Sequence, residues 1–193
     1  LRDVVTCNVL ITGYIQHGHG EDALRCFQLM QTYGFSPDEV TFVCILKACG
    51  ILRSLEEGAA IDAEVRKKGL LKKVIIGNAL VDMYSRCGAL NEAKHIHDEL
   101  PIRDVISWNA LIFGYVQQEQ DEEALRSLSK MQDESLSPNA ITFTCILKAC
   151  ASVGAIDKGE KIHNEIVNKA LLENDIGLGN ALVDMYVKCG ELA

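Results

Sequence analysis

Apolar residues recur along this chain at helical spacing. Trp108, Leu111, Ile112, Tyr115 and Val116 fall at i, i+3, i+4, i+7 and i+8, which lines one face of a helix. A second apolar set follows in Ala124, Leu125, Leu128 and Met131, and the polar run Gln117 to Asp121 separates the two. The start of the chain has the same arrangement. There His17, Gly18, His19 and Gly20 hold the break, and Ser36 and Pro37 before Asp38 end the second helix and begin the next hairpin. Strand alternation is absent almost throughout, so the pattern predicts helical hairpins.

The hairpins repeat. GNALVDMY occurs at Gly77 to Tyr84 and again, 102 residues on, at Gly179 to Tyr186. A shift of 101 residues lays VVTCNVLITGY (Val4 to Tyr14) on VISWNALIFGY (Val105 to Tyr115), and TFVCILKACG (Thr41 to Gly50) on TFTCILKACA (Thr142 to Ala151). One added residue near Asp175 makes the last offset 102. The period divides into hairpins at 4–38, 39–73, 74–104, 105–139, 140–175 and a partial 176–193, with lengths 35, 35, 31, 35, 36 and 18. One hairpin cannot bury its own apolar face. Such units are expected to stack as a single all-α array, a solenoid whose core is shared between repeats and whose concave surface is left for a partner. The first residue already sits in a patterned segment, there is no initiator Met and the pattern stops in mid-repeat, so a piece of a longer protein is expected. Within the doubled phrase, Ala79, Leu80, Val81, Met83 and Tyr84 and their counterparts are assigned to stacking. Gly77 and Gly179 are assigned to a tight helix start.

Composition narrows the chemistry. The chain is 48% apolar, with no apolar run long enough to cross a bilayer. Its net charge of −8 argues against binding nucleic acid mainly by neutralising phosphates, which needs Lys and Arg in excess, but leaves base reading open. The eight cysteines include no Cys-x-x-Cys pair. Three pairs simply recur between copies (Cys44 and Cys145, Cys49 and Cys150, Cys87 and Cys189), which reads as small buried hydrophobes in a cell interior. His95 and His97 lie two apart on a helix and point different ways, and His17 and His19 fall in a Gly-rich turn, so no metal site is expected. Asp121, Glu122 and Glu123 read as a solvated, dipole-favoured first turn, and Trp108 as core. No nucleophile with a base, phosphate-cradling Gly loop or zinc deaminase signature occurs, so neither catalysis nor a cofactor is expected.

Tetratricopeptide repeats keep a uniform length and open with Trp-x-x-Leu-Gly, whereas here no Gly follows Leu111 after Trp108. With its alternating lengths, the chain resembles the pentatricopeptide repeat family, in particular plant-type arrays of alternating ordinary, long and short motifs. VVTCNVLITGYIQHGHGEDALRCFQLM carries the ordinary motif, TFVCILKACGILRSLEEG the long and GNALVDMYSRCGALNEAKHIHDELPIRD the short. The resemblance implies a right-handed superhelical solenoid of stacked antiparallel helical hairpins. It also implies single-stranded RNA as partner, at about one base per repeat and running 5′ to 3′ from N to C terminus. The setting it implies is a mitochondrial or chloroplast RNA-processing factor for C-to-U editing, with other editing proteins as partners.

In that family the fifth and last residues of a repeat jointly face a base. Carried over, the pairs are Asn8 with Asp38, Val43 with Lys73, Asn78 with Asp104, Asn109 with Asn139, and Thr144 with Asp175, while Asn180 has no partner in its shortened repeat. An Asn amide offers a donor and an acceptor together, matching a pyrimidine edge. By the family pattern, Asn with Asp favours U, Asn with Asn favours C or U, and Thr with Asp favours G. The added residue leaves Asn174 as a rival to Asp175, favouring A. The second residues Val5, Val40, Ile75, Ile106 and Ile141 suit wedging between bases, and Gly177 departs from this. Two alternatives need no RNA. Asp38, Asp104 and Asn139 stand where N-caps belong, and a buried Asn at 8, 78, 109 or 180 could tie neighbouring helices together. A protein-binding helical scaffold, which the acidic balance would suit, is the competing function.

Overall fold

The computed structural model describes residues 3–173 and 175–190 of the 193, and every regular element among them is helical. In chain order these are α1 (Val4–Gln16), α2 (Gly20–Thr32), α3 (Glu39–Leu52), α4 (Leu55–Lys67), a 3₁₀ turn at Leu70–Lys72, α5 (Val74–Arg86), α6 (Leu90–Glu99), α7 (Val105–Gln117), α8 (Asp121–Asp133), α9 (Ala140–Val153), α10 (Ile156–Asn168) and α11 (Ile176–Cys189). They form two compact units that meet in sequence between Arg103 and Asp104.

In the first unit α1, α3 and α5 pack side by side, and α2, α4 and α6 each fold back on the helix before them. The second unit repeats the plan with α7, α9 and α11 in the row and α8 and α10 behind. Each unit is thus a stack of hairpins in the solenoid manner, with the middle helix of the row enclosed on both sides. That enclosure explains why α3 and α9 read as nearly continuous apolar runs. Phe42, Ile45 and Leu46 on α3 and Phe143, Ile146 and Leu147 on α9 are fully buried.

Every row helix but α5, which follows Lys73, starts with a side-chain cap. Asp3, Asp38, Asp104, Asn139 and Asp175 each accept the backbone amide three residues on, at 2.7 to 3.1 Å. The helices behind them have no side-chain cap and begin straight after a tight turn. Each such turn passes through the left-handed region, at Gly18, Arg53, Gly88, Glu119 and Gly154. Arg53 and Glu119 adopt it at φ 53° and 56° despite their Cβ, and each turn is closed by a backbone bond, from Ser54 N–H to the Cys49 carbonyl and from Gln120 N–H to the Tyr115 carbonyl, both at 2.9 Å. Close approach explains a second pair of glycines. A Cβ on Gly58 would lie 2.3 Å from the Met83 sulfur, and one on Gly159 2.5 Å from that of Met185, so α4 and α10 sit directly against the following row helix.

Two expectations are corrected. Asp121 is buried, unlike exposed Glu122, because it takes the inward slot at the start of α8 that Gly20 fills in α2 and Leu90 in α6. Gly77 serves packing rather than helix initiation, since a Cβ there would lie 2.2 Å from Leu100 Cδ2, while Gly179 faces open space. Val81 is buried, whereas its counterpart Val183 is 57% exposed. All eight cysteines are free thiols and none is fully exposed. Trp108 is core, with its indole N–H donating to Glu134 at 2.9 Å.

Candidate nucleic-acid interface

The first turn of each row helix separates its residues sharply. From α3 onwards the third residue points inward, with Thr41, Ile76, Ser107, Thr142 and Leu178 all fully buried, whereas Thr6 on α1 is exposed. The second points outward. Val5, Val40, Ile75, Ile106 and Ile141 are branched aliphatics left between 54% (Val40) and 70% (Val5) exposed. Isolated apolar residues on a surface need no explanation, but the same helical position occupied five times does. Gly177 offers nothing at this position, although Ile176 beside it is 84% exposed.

One turn further along, two of the pairs meet within their own units. The Asn8 amide donates to the Asp38 carboxylate, 3.0 Å to Oδ1 and 3.2 Å to Oδ2. The Asn109 amide donates to Asn139 Oδ1 at 3.1 Å. In each case a hydroxyl from the next row helix completes the group. Thr41 donates to Asn8 Oδ1 at 2.7 Å, and Thr142 to Asn109 Oδ1 at 2.6 Å. Both alternatives weighed from the sequence are therefore realised, for Asp38 and Asn139 cap α3 and α9, and Asn8 and Asn109 tie α1 to α3 and α7 to α9. Asn8 and Asn109 remain 8% and 9% exposed, so little of either residue reaches solvent. A second N–H and a second oxygen lone pair of Asn109 stay uncommitted, which is the donor and acceptor set a pyrimidine needs.

The other positions differ. Asn78 is buried on α5, and Asp104 caps α7 in the other unit. Val43 is half-buried and makes no polar contact with Lys73, whose ammonium instead pairs with Glu39 at 3.2 Å. Thr144 donates its hydroxyl to the Ala140 carbonyl of its own helix at 2.8 Å, and Asp175 caps α11. Asn180 is exposed, and Asn174 lies outside the described residues. His97 is buried and His95 exposed, as their spacing predicts.

Two kinds of residue escape the sequence reading. Thr41 and Thr142 are one. Lys47 and Lys148 are the other: they lie at i+7 from Val40 and Ile141, on the same helix face, are exposed, and make no ion pair among the described residues. Their signal was the doubled phrase CILKAC, in which the cation is the only charge.

Electrostatics at the first triad favour an ionised carboxylate. Burial pushes the Asp38 pKa up, but the backbone amide and hydroxyl of Thr41 and the Asn8 amide outweigh it and hold it below its ordinary value of 3.8. A depressed folded-state pKa means stabilisation that is complete above the ordinary value and lost as the pH falls through the folded one. Urea unfolding between pH 5 and pH 2 is therefore expected to show the wild-type advantage over Asp38→Asn shrinking as the solution acidifies. A constant difference would show that the carboxylate charge contributes nothing.

Comparison with known proteins groups the chain with others. A family model described as PPR repeat family matches residues 2–50 and 103–152, and one described as PPR repeat matches residues 78–105 and 141–170. A pentatricopeptide repeat-containing protein of Arabidopsis thaliana is 40% identical over 92% of this chain and 25% of its own length. Another from the same plant, named as mitochondrial, is 34% identical over 100% of this chain and 33% of its own length. The chain thus spans a quarter to a third of these curated relatives. Among solved structures, the pentatricopeptide repeat protein PPR10 in complex with an 18-nt psaJ RNA element matches at a TM-score of 0.80 and 23% identity, over 96% of this chain and 28% of that one. The PPR domain of Arabidopsis thaliana protein-only RNase P 1 in complex with tRNA matches at 0.60 and 14%, over 92% and 95%. At these identities the likeness is one of fold.

Proposed function

This chain belongs to the PPR repeat family, and on that premise we propose that it binds single-stranded RNA sequence-specifically, at about one base per motif. The observation that carries the reading is the doubled triad of Asn, capping residue and Thr, each beside an exposed branched aliphatic one turn earlier. An inter-helix tie alone would not need Val5 or Ile106 left in water. The preferred bases, in 5′ to 3′ order, are U opposite Asn8, none specified opposite Val43, U opposite Asn78, C or U opposite Asn109, G (or A, through Asn174) opposite Thr144, and a pyrimidine opposite Asn180. Two of the matching structures are complexes with RNA, which supports the ligand class.

The biological role we assign is the recognition segment of an organellar RNA-processing factor that selects cytidines for C-to-U editing. Its chemistry would be supplied elsewhere in the full chain or by a partner. Relatives named as mitochondrial support the organelle. Transcript sequencing in a plant lacking the gene would reveal one or a few cytidines left unedited, downstream of a matching sequence. An unchanged editing profile would remove this role.

Fluorescence anisotropy tests the binding itself. A labelled pyrimidine-rich hexamer is expected to bind the chain at least several-fold more tightly than a purine hexamer of equal charge. Binding of a basic peptide with no response to either RNA would instead identify a protein-binding scaffold.

A further inference from the structure

We infer that Thr41 and Thr142 are positioning residues for base reading, whose buried hydroxyls hold the neighbouring Asn amides in one orientation and so set which base edge each can accept. The inference rests on the RNA-binding reading above and deepens it. An Asn amide turned by half a rotation exchanges its donor and acceptor, so a reader with a free amide would accept two opposite base edges. Here that freedom is removed from both sides. Asp38 is a carboxylate and can only accept, so Asn8 must present its NH₂ there. Asn139 uses its Oδ1 to cap α9 through the Thr142 amide at 3.1 Å, so Asn109 must likewise present NH₂. The oxygen end is held by the threonine. Thr41 accepts the Asp38 N–H at 3.2 Å, and Thr142 accepts the Asn139 N–H at 3.1 Å; of the two acceptors left to each hydroxyl proton, the amide oxygen of Asn8 or Asn109, at 2.7 and 2.6 Å, is nearer than Oδ1 of Asp38 or Asn139, at 2.9 and 3.1 Å. Both hydroxyls are fully buried, so water cannot substitute for them.

Capping alone does not account for this. The reciprocal cap needs only the hydroxyl oxygen as acceptor, yet its proton also bridges 33 residues back to the preceding row helix. The sequence follows the same division. Within each unit, where the reader is Asn8 or Asn109, the third residue of the next row helix is Thr41 or Thr142. Where the reader is Val43 or Thr144, that residue is Ile76 or Leu178, with no hydroxyl.

The test compares wild type, Thr142→Val and Thr142→Ser against two RNA hexamers that differ only in the fourth base, cytosine or guanine. Wild type should favour cytosine. Thr142→Val should lose roughly three- to tenfold of that preference, the equivalent of one net hydrogen bond, while Thr142→Ser retains it. Thr41→Val, read at the first base, gives the same test at an independent site should Thr142→Val fail to fold. Thermal melts report the lost cap separately. If wild type discriminates and the valine variants discriminate equally well, or bind every RNA more weakly by one common factor, the inference is overturned while the RNA reading stands. If wild type itself does not discriminate, the RNA reading falls and the inference with it.

Discussion

Phe143→Ala is expected to lower the unfolding free energy by about 3–5 kcal/mol, the largest single-site loss anticipated in the second unit. Phe143 is fully buried at the start of α9, the helix enclosed between α7 and α11, and the Lys169 ammonium lies 5.3 Å from its ring centroid. Truncation would leave a cavity that rigid helices on both sides cannot close. It would also take RNA binding with it, because Phe143 lies in sequence between Thr142, which holds Asn109, and Thr144. Phe143→Leu, which keeps most of the volume, should cost under about 1.5 kcal/mol. Chemical denaturation measures both, and equal small losses would mean that α9 is not the centre of its unit. Phe42 is the counterpart in the first unit, also fully buried, with Lys68 placed 6.0 Å from its ring.

The second large effect concerns recognition. Asn8→Thr should move the preference at the first base from uracil towards guanine by on the order of tenfold, since a well-placed reader discriminates by about 1–3 kcal/mol. Stability should fall by only about 1 kcal/mol, the net worth of a hydrogen bond, because the Thr41 hydroxyl, released from Asn8, can turn to Asp38 Oδ1 at 2.9 Å and the cap of α3 persists. Anisotropy with RNAs carrying uracil or guanine at that position, together with a thermal melt, checks both halves. A large drop in melting temperature with unchanged base preference would reduce Asn8 to a tie between α1 and α3.

How much of this was legible in the sequence depended on how local each cause was. Asp38, Asp104 and Asn139 stand directly before apolar-periodic runs, and capping acts over three residues, so the starts of α3, α7 and α9 could be read from neighbouring letters. The pairing of Asn8 with Asp38 spans 30 residues and was reachable only through the family resemblance. The Thr41 and Thr142 hydroxyls were missed because a Thr three residues after a cap already has a sufficient local explanation, and its second partner lies 33 residues away. Burial depends on neighbours not adjacent in sequence. Asp121 reads as solvated beside Glu122 and Glu123 yet is buried, and Gly77 reads as a tight helix start yet has Leu100 packed against it. The long-type positions behaved as their chemistry dictates: Val43 has no polar group to offer Lys73, and Thr144 spends its hydroxyl on its own helix.

The central claim is that separate motifs read separate bases, and a single-base scan tests it most directly. Six RNA hexamers, each changed at one position from the preferred sequence, would be titrated against the chain by fluorescence anisotropy. The account predicts the sharpest losses where uracil opposite Asn8 or the pyrimidine opposite Asn109 becomes a purine, and little change opposite Val43. Equal affinity for all six, or a loss that tracks overall pyrimidine content wherever the change is made, would contradict it.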